Sequence, residues 1–239
     1  MSLPVAILAG GLATRLHPVT TTVPKALVDV GGRPFAAHQL DWLTSQGVER
    51  VVFCVAHLGE MIRDALGNGS RWNLHMDYVF DGGTLLGTAG ALKRALPVLG
   101  KAFFVLYGDS LLTCDLPAIE RAFRASGRAG LMTVFRNDDK WDRSNVLFAE
   151  GRLLRYDKVN RTPEMKHIDY GLGVLTDRAL TAVPPDRPYD LAAVYQRLLA
   201  DDDLAGVEIT DRFYEIGSPE GLEETRAFLA EKDARRLRS

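Results

Sequence analysis

The run Leu8-Ala9-Gly10-Gly11-Leu12-Ala13-Thr14-Arg15-Leu16 carries the clearest chemistry in the chain. A glycine pair lets the backbone turn sharply and points successive N–H groups at a bound anion. Arg15 then adds a permanent, fork-shaped cation suited to phosphate oxygens. No Gly-Lys-Ser/Thr follows, so this is not a Walker loop, and the Gly-x-Gly-x-x-Gly of dinucleotide enzymes is absent. Taken alone, the run also reads as a glycine turn beside a surface arginine, and Lys25 in Pro24-Lys25-Ala26-Leu27 as a solvated lysine. Leu86-Gly87-Thr88-Ala89-Gly90-Ala91 opens a helix, where glycine lets a flat base lie against backbone and Thr88 also reads as a cap. Tyr107-Gly108-Asp109 ends an apolar run. A carboxylate at that edge of an open α/β sheet suits Mg²⁺, which takes one or two protein oxygens and shares the rest with phosphates and water. Asp109 alone also reads as the cap of the following turn.

In this order, the segments resemble the signature of the sugar-1-phosphate nucleotidyltransferases, also called NDP-sugar pyrophosphorylases. The resemblance spans Val5 to about Leu229. It implies that Leu8, Ala9, Gly10, Gly11, Thr14, Arg15 and Lys25 hold a nucleoside triphosphate, with Gly87, Thr88 and Gly108 completing the nucleotide site. Ala13 stands where many members have glycine, which removes no more than one backbone contact. Asp157-Lys158 resembles the acidic-residue–Lys pair that grips the sugar phosphate, with aspartate in place of glutamate. His167-Ile168-Asp169-Tyr170-Gly171 takes the place of the family's Asn-x-Gly strand, with Asp169 replacing asparagine. Asn145, Asp169 and Gly171 are thereby expected at the sugar end. Tyr214-Glu215-Ile216-Gly217-Ser218-Pro219 resembles the motif supplying a second metal carboxylate, so Asp109 and Glu215 are the expected Mg²⁺ ligands.

Arg15, Lys25 and Asp109 are the expected catalytic set. A sugar 1-phosphate is already a nucleophile, so the task is to offset anionic repulsion and hold the attack in line with departing pyrophosphate. That chemistry needs no Ser–His or Cys–His pair. Among compact members, residues 24–35 and the Leu-Gly-Thr-Ala-Gly-Ala helix start most resemble bacterial enzymes that activate heptose 1-phosphates with GTP. The expected pair is GTP with D-glycero-D-manno-heptose 1-phosphate, giving GDP-heptose for surface polysaccharide. UTP with MurNAc 1-phosphate and dTTP with a hexose 1-phosphate are its rivals. Two readings of other classes are weaker. A non-catalytic, nucleotide-sugar-binding regulatory subunit would be expected to lose Arg15, Lys25 or Asp109, and a dinucleotide-dependent oxidoreductase would need its own glycine fingerprint.

The elements that must position these residues are legible from hydrophobic pattern. Strands are expected over 5–8, 50–56, 74–80 and 102–107, and helices over 35–45, 59–66, 89–96 and 117–125, the last capped by Asp115. Such alternation argues for a Rossmann-like, mostly parallel sheet flanked by helices. A hairpin over 28–33 turns at Gly31-Gly32. The pattern then changes to strands in quick succession, over 131–135, 145–149, 153–158 and 168–175, so antiparallel strands are expected in the second half. Turns are expected at Asn137-Asp138-Asp139 and Glu150-Gly151. Helices over 190–199 and 219–231 flank a strand over 206–209, and residues 231–239 read as a frayed tail. One domain is expected, with residues 1–130 as the nucleotide half and 131–239 as the sugar-phosphate half.

Composition bounds the alternatives. The 239 residues are 46% hydrophobic and 25% charged, which suits an ordinary globular protein with a substantial core. Twenty-nine basic and 31 acidic residues leave a net charge of −2, so no general field draws in nucleic acid or anionic membrane. A polyanionic substrate must be held by a few placed cations and amides. Cys54 and Cys114 lie in apolar stretches without metal-like spacing and read as core thiols in a reducing cytosol. No signal-like or membrane-length segment is present, so a cytoplasmic protein is expected. Assembly into homo-oligomers is left open.

Overall fold

The structure, a computed structural model, describes residues 2–11, 16 and 19–236. Four parallel strands form the first half of the chain: β1 (Val5–Leu8), β4 (Arg50–Val55), β5 (His75–Phe80) and β6 (Ala102–Tyr107). Between β1 and β4 lie a two-residue hairpin, β2 (Asp29–Val30) and β3 (Arg33–Pro34), and helix α1 (Phe35–Ser45). Gly31 and Gly32 both have positive φ, as a tight primed hairpin turn demands. Helices α2 (Gly59–Leu66), α3 (Gly87–Leu99) and α4 (Leu116–Ser126) complete this half. Asp115 caps α4, its carboxylate accepting the Ala118 N–H at 3.0 Å.

Antiparallel strands then extend the sheet. β7 (Ser110–Leu111) is set apart from it, while β8 (Gly130–Arg136), β9 (Val146–Ala149), β10 (Arg152–Tyr156) and β11 (His167–Thr176) join it. The order β10-β9-β11-β6-β1-β4-β5 makes β11 the seam between the halves, with β8 pairing β11 from beside it. α5 (Leu191–Ala200) follows, and β12 (Leu204–Ile209) pairs β8 in parallel. Last come β13 (Tyr214–Glu215) and α6 (Pro219–Arg236). β13 pairs antiparallel with β7, a join made of only two residues on each side.

Period-two alternation sorts the parallel strands onto two cores. Val5, Ile7, Val51, Phe53, Phe104 and Leu106 face one side, toward Leu40, Leu43, Ile62 and Ile119. Ala6, Val52, Cys54, Phe103 and Val105 face the other, against Leu92, Ala95, Val194 and Leu198. A smaller cluster fastens α6 to the hairpin through Val28, Val30, Phe35, Ile216 and Leu222. Among the described residues no helix is long and apolar enough to cross a membrane.

Differences from the expected elements sit at their ends. α3 starts two residues before position 89 and runs through Pro97 to a positive-φ Gly100. α6 continues to Arg236, past the point where a frayed tail was expected, and Leu222 and Leu229 pin its earlier turns to the hairpin cluster. The pair β7–β13 was not foreseen.

Candidate active site

β1 has β4 on one side and β6 on the other, so the chain reverses direction across the sheet there, and a crevice opens beyond the strand ends. A cavity of about 670 Å³ occupies it, a size that suits a nucleotide-scale ligand. Leu8, Ala9, Gly10 and Gly11 line its centre. Their backbone is held in place by Ala9 N–H donating to Cys54 O at 2.9 Å and by Gly108 N–H donating to Leu8 O at 3.0 Å. Gly108 must be glycine, since a Cβ there would lie 2.5 Å from the Leu8 carbonyl oxygen. Thr14 and Arg15 lie outside the described residues.

Lys25 begins a short helical turn after Pro24, and its Nζ donates to Asp109 Oδ2 at 3.0 Å inside the cavity. Asp109 follows β6, and the turn that carries it is strapped by Gln39. That fully buried amide donates to Tyr107 O at 3.1 Å and Ser110 O at 2.7 Å. On the far side, Ile216 N–H donates to Asp109 O at 3.0 Å, which sets Glu215 on the strand beside Asp109. The Glu215 carboxylate lines the cavity while accepting Gly217 N–H and the Ser218 hydroxyl. Among the described residues no three His, Cys, Asp or Glu side chains cluster as a metal cage. Two neighbouring carboxylates, one anchored by hydrogen bonds, are a hard-oxygen set that fits a Mg²⁺ shared with phosphates.

Gly87 and Thr88 also line the cavity. Gly87 has φ +68°, and a Cβ there would meet the Tyr189 carbonyl oxygen at 2.8 Å. The expected cap role of Thr88 takes a different form. Its hydroxyl accepts Leu191 N–H at 2.7 Å, tying the starts of α3 and α5 together. No sequence signal near Thr88 points to so distant a partner.

At the other end of the cavity, β11 shifts register against β8 between Asp169 and Gly173, and Gly171 sits at φ +90°. This irregularity turns Asp169 and Gly171 toward the cavity. Asp169 Oδ2 accepts the hydroxyls of Tyr107 at 3.0 Å and Tyr156 at 3.3 Å, and Oδ1 accepts Gly171 N–H at 3.1 Å. Burial and the Asp169 charge push the Tyr107 and Tyr156 phenols well above their ordinary pKa, so both remain neutral donors. Lys158 Nζ lies 5.5 Å from the Tyr107 ring centre and 5.9 Å from that of Tyr156, so aromatic faces as well as charge hold it. Asn145 accepts Asp169 N–H at 3.1 Å and lines the cavity too.

Asp157 does not line the cavity. Its carboxylate accepts Val159 N–H at 2.9 Å and Asn160 N–H at 2.8 Å, which holds it below the usual carboxylate range and shapes the loop bearing Lys158. Sequence reasoning missed the cavity-lining residues Trp141, Asp142, Arg143 and Arg161, and the buried Asp81 just after β5. The loop over 137–144 is folded by the buried Asn137 amide, which donates to Asp142 O and Ser144 Oγ. Trp141 is stacked beneath Arg212, whose guanidinium carbon lies 3.3 Å from its ring centre.

One cavity thus holds the glycine loop, the Lys25–Asp109 pair and Lys158, which lies over the Tyr107 and Tyr156 rings. The chain belongs to the nucleotidyl transferase family, whose sequence profile matches residues 5–144. Mannose-1-phosphate guanyltransferase of Aspergillus oryzae is 29% identical over 223 residues, covering 89% of this chain and 60% of its own length. The chain thus spans about 60% of such curated relatives. N-acetylmuramate alpha-1-phosphate uridylyltransferase of Caulobacter vibrioides is 28% identical over 239 residues, 94% of this chain and 96% of its own. The crystal structure of HddC from Yersinia pseudotuberculosis complexed with GMP-PN shares the fold. It aligns with TM-score 0.78 and 23% identity over 95% of this chain and 99% of its own.

Proposed function

We propose that this chain transfers a nucleoside monophosphate from an NTP to a sugar 1-phosphate and releases pyrophosphate. The observation that carries the reading is the meeting of Lys25 with Asp109 beside Gly10 and Gly11, in the same cavity as Lys158. Backbone amides of the glycine loop receive the triphosphate, and Lys25 exchanges the Asp109 carboxylate for phosphate oxygens. Arg15 adds a second cation there. Lys158, held over the Tyr107 and Tyr156 rings, receives the sugar phosphate and brings it in line with the α-phosphate. Asp109 and Glu215 would hold Mg²⁺, which supplies positive charge against the α-phosphate and the leaving group. No proton needs to be moved, because the attacking oxygen is already anionic. The reaction belongs in the cytoplasm, where NTPs are made.

The proposed pair is GTP with a heptose 1-phosphate, giving GDP-heptose for surface polysaccharide. Support comes from the guanyltransferase relatives and from the fold shared with a protein crystallised with GMP-PN. A second reading, UTP with MurNAc 1-phosphate, is favoured by the near-complete mutual coverage with the Caulobacter uridylyltransferase. The test is kcat/KM for pyrophosphate release, with GTP, ATP, UTP, dTTP and CTP each paired with heptose, mannose, glucose and MurNAc 1-phosphates. GTP with heptose 1-phosphate should give the largest value. A preference for UTP with MurNAc 1-phosphate would overturn the pair and leave the reaction; no release from any pair would overturn the reaction itself.

A further inference from the structure

We propose that Tyr107 and Tyr156 are positioning residues whose hydroxyls occupy the Asp169 carboxylate and so leave Lys158 unpaired and free for the sugar phosphate. The proposal rests on the nucleotidyl transfer read above, in which Lys158 meets that phosphate. Both tyrosines have two neighbours of opposite charge. At their hydroxyls lies Asp169, whose Oδ2 accepts from Tyr107 at 3.0 Å and from Tyr156 at 3.3 Å. Against their rings lies Lys158, its Nζ 5.5 Å from the first centre and 5.9 Å from the second. Asp169 and Lys158 also line the same cavity. A lysine that shares two neighbours with a carboxylate would be expected to close on it, as Lys25 does on Asp109 at 3.0 Å. Yet among the described residues Lys158 forms no ion pair.

The reason lies at Asp169. Its other oxygen, Oδ1, accepts Gly171 N–H at 3.1 Å, so three donors converge on one carboxylate. A carboxylate supplied in this way needs no cation to replace its lost water. The aromatic faces meanwhile attract the Lys158 ammonium without neutralising it, so its charge remains available to a ligand. Aspartate itself creates the need for this arrangement. Asparagine, which the resemblance leads one to expect at position 169, carries no charge to capture a lysine. Other contacts fix the two tyrosines. Tyr156 packs edge-on against Tyr195, 6.1 Å between ring centres, and its carbonyl accepts Gln196 Nε2 at 3.2 Å. The Tyr107 carbonyl accepts the buried Gln39 amide at 3.1 Å. Phenylalanine at either position thus removes a donor and leaves the aromatic face in place. Stripped of two donors, the carboxylate would draw in the cation that borders the same rings.

The experiment compares the full chain with the double variant Tyr107→Phe/Tyr156→Phe and with that variant carrying Asp169→Asn as well. KM is measured for each substrate, using the NTP and sugar 1-phosphate with the largest kcat/KM among the pairs tested for pyrophosphate release. The double variant should raise KM for the sugar phosphate about tenfold, while KM for the NTP stays within about twofold. Either phenylalanine alone should give a smaller rise. Adding Asp169→Asn should bring the sugar-phosphate KM most of the way back, because the charge that captures Lys158 is gone. An unchanged KM in the double variant would overturn the proposal. So would a further rise on adding Asp169→Asn, which would make Asp169 a direct contact of the sugar. A second readout needs no substrate: proton NMR of the lysine ε-methylene groups, with the Lys158 signal assigned by its loss in Lys158→Arg. Ring currents should displace that signal upfield in the wild-type chain and the triple variant, and less in the double variant, where the ammonium has moved to Asp169. The same position in all three refutes the proposal. If the signal moves in this way but no pair releases pyrophosphate, the reaction reading falls and the seating of Lys158 stands. Pyrophosphate release without that movement does the reverse.

Discussion

Lys25 and Asp109 are 84 positions apart, yet their side chains meet at 3.0 Å. Asp109→Ala should therefore abolish turnover with the fold intact, because the carboxylate is 31% exposed and packs no core. Retention of more than about a tenth of wild-type activity, a barrier change under ~1.4 kcal/mol, would remove Asp109 from the catalytic set. Lys158→Ala should raise KM for the sugar phosphate far more than KM for the nucleotide, measured by varying each substrate in turn; equal effects would place Lys158 elsewhere in the site. The two thiols give a contrasting expectation. Burial pushes both Cys54 and Cys114 up to about 12, so neither should react with an aromatic disulfide reagent until the chain is unfolded. At this scale the motifs named residues that the fold brings together: Gly10, Lys25, Asp109 and Lys158 all line one cavity. Asp157 is not among the lining residues, and its carboxylate accepts the loop's own amides. Asp81 and Gln39 were invisible, since an aspartate before two glycines reads as a turn and a glutamine among helix residues carries no pattern.

Elements do the positioning. The ends of β1 and β6 touch at Gly108, where an added methyl group would sit 2.5 Å from Leu8 O. Gly108→Ala should cost about 1–3 kcal/mol, as overpacking does, and lower Tm by several degrees at roughly 2–4 °C per kcal/mol for a chain of this size. Gly83→Ala, with open space around the new Cβ, is the control and should leave Tm nearly unchanged. A normal Tm for Gly108→Ala would mean that the two strand ends separate easily. Short, continuous apolar runs made the parallel strands legible, and Asp115 marked the start of α4. By contrast, β7 and β13 have two residues each, too few for any period, so the strand pair that sets Glu215 beside Asp109 left no trace in the sequence. The register shift in β11 escaped for a similar reason: Gly171 was seen as a motif residue, while the need for φ +90° there arises from the partner strands.

The two halves are not separable bodies by their sheet. β11 pairs with β6 on one edge and with β8 on the other, so the first and second parts of the chain share one continuous ladder. We therefore expect a single cooperative unfolding transition. Far-UV circular dichroism should coincide with fluorescence from Trp42, Trp72 and Trp141, which lie in both halves; a second transition in either signal would mean that the halves melt independently. The join between β7 and β13 has one more consequence, which concerns synthesis. A growing chain can lay β1, β4, β5 and β6 together once the first half has emerged, but the flank of the cavity at Asp109 stays open until residues 214–216 arrive to pair with it. Every unfinished or prematurely stopped chain short of that point carries the glycine loop without the wall that Phe213 and Glu215 supply. Copies that stop short of residue 216 are therefore expected to release no pyrophosphate, rather than to act on substrates indiscriminately.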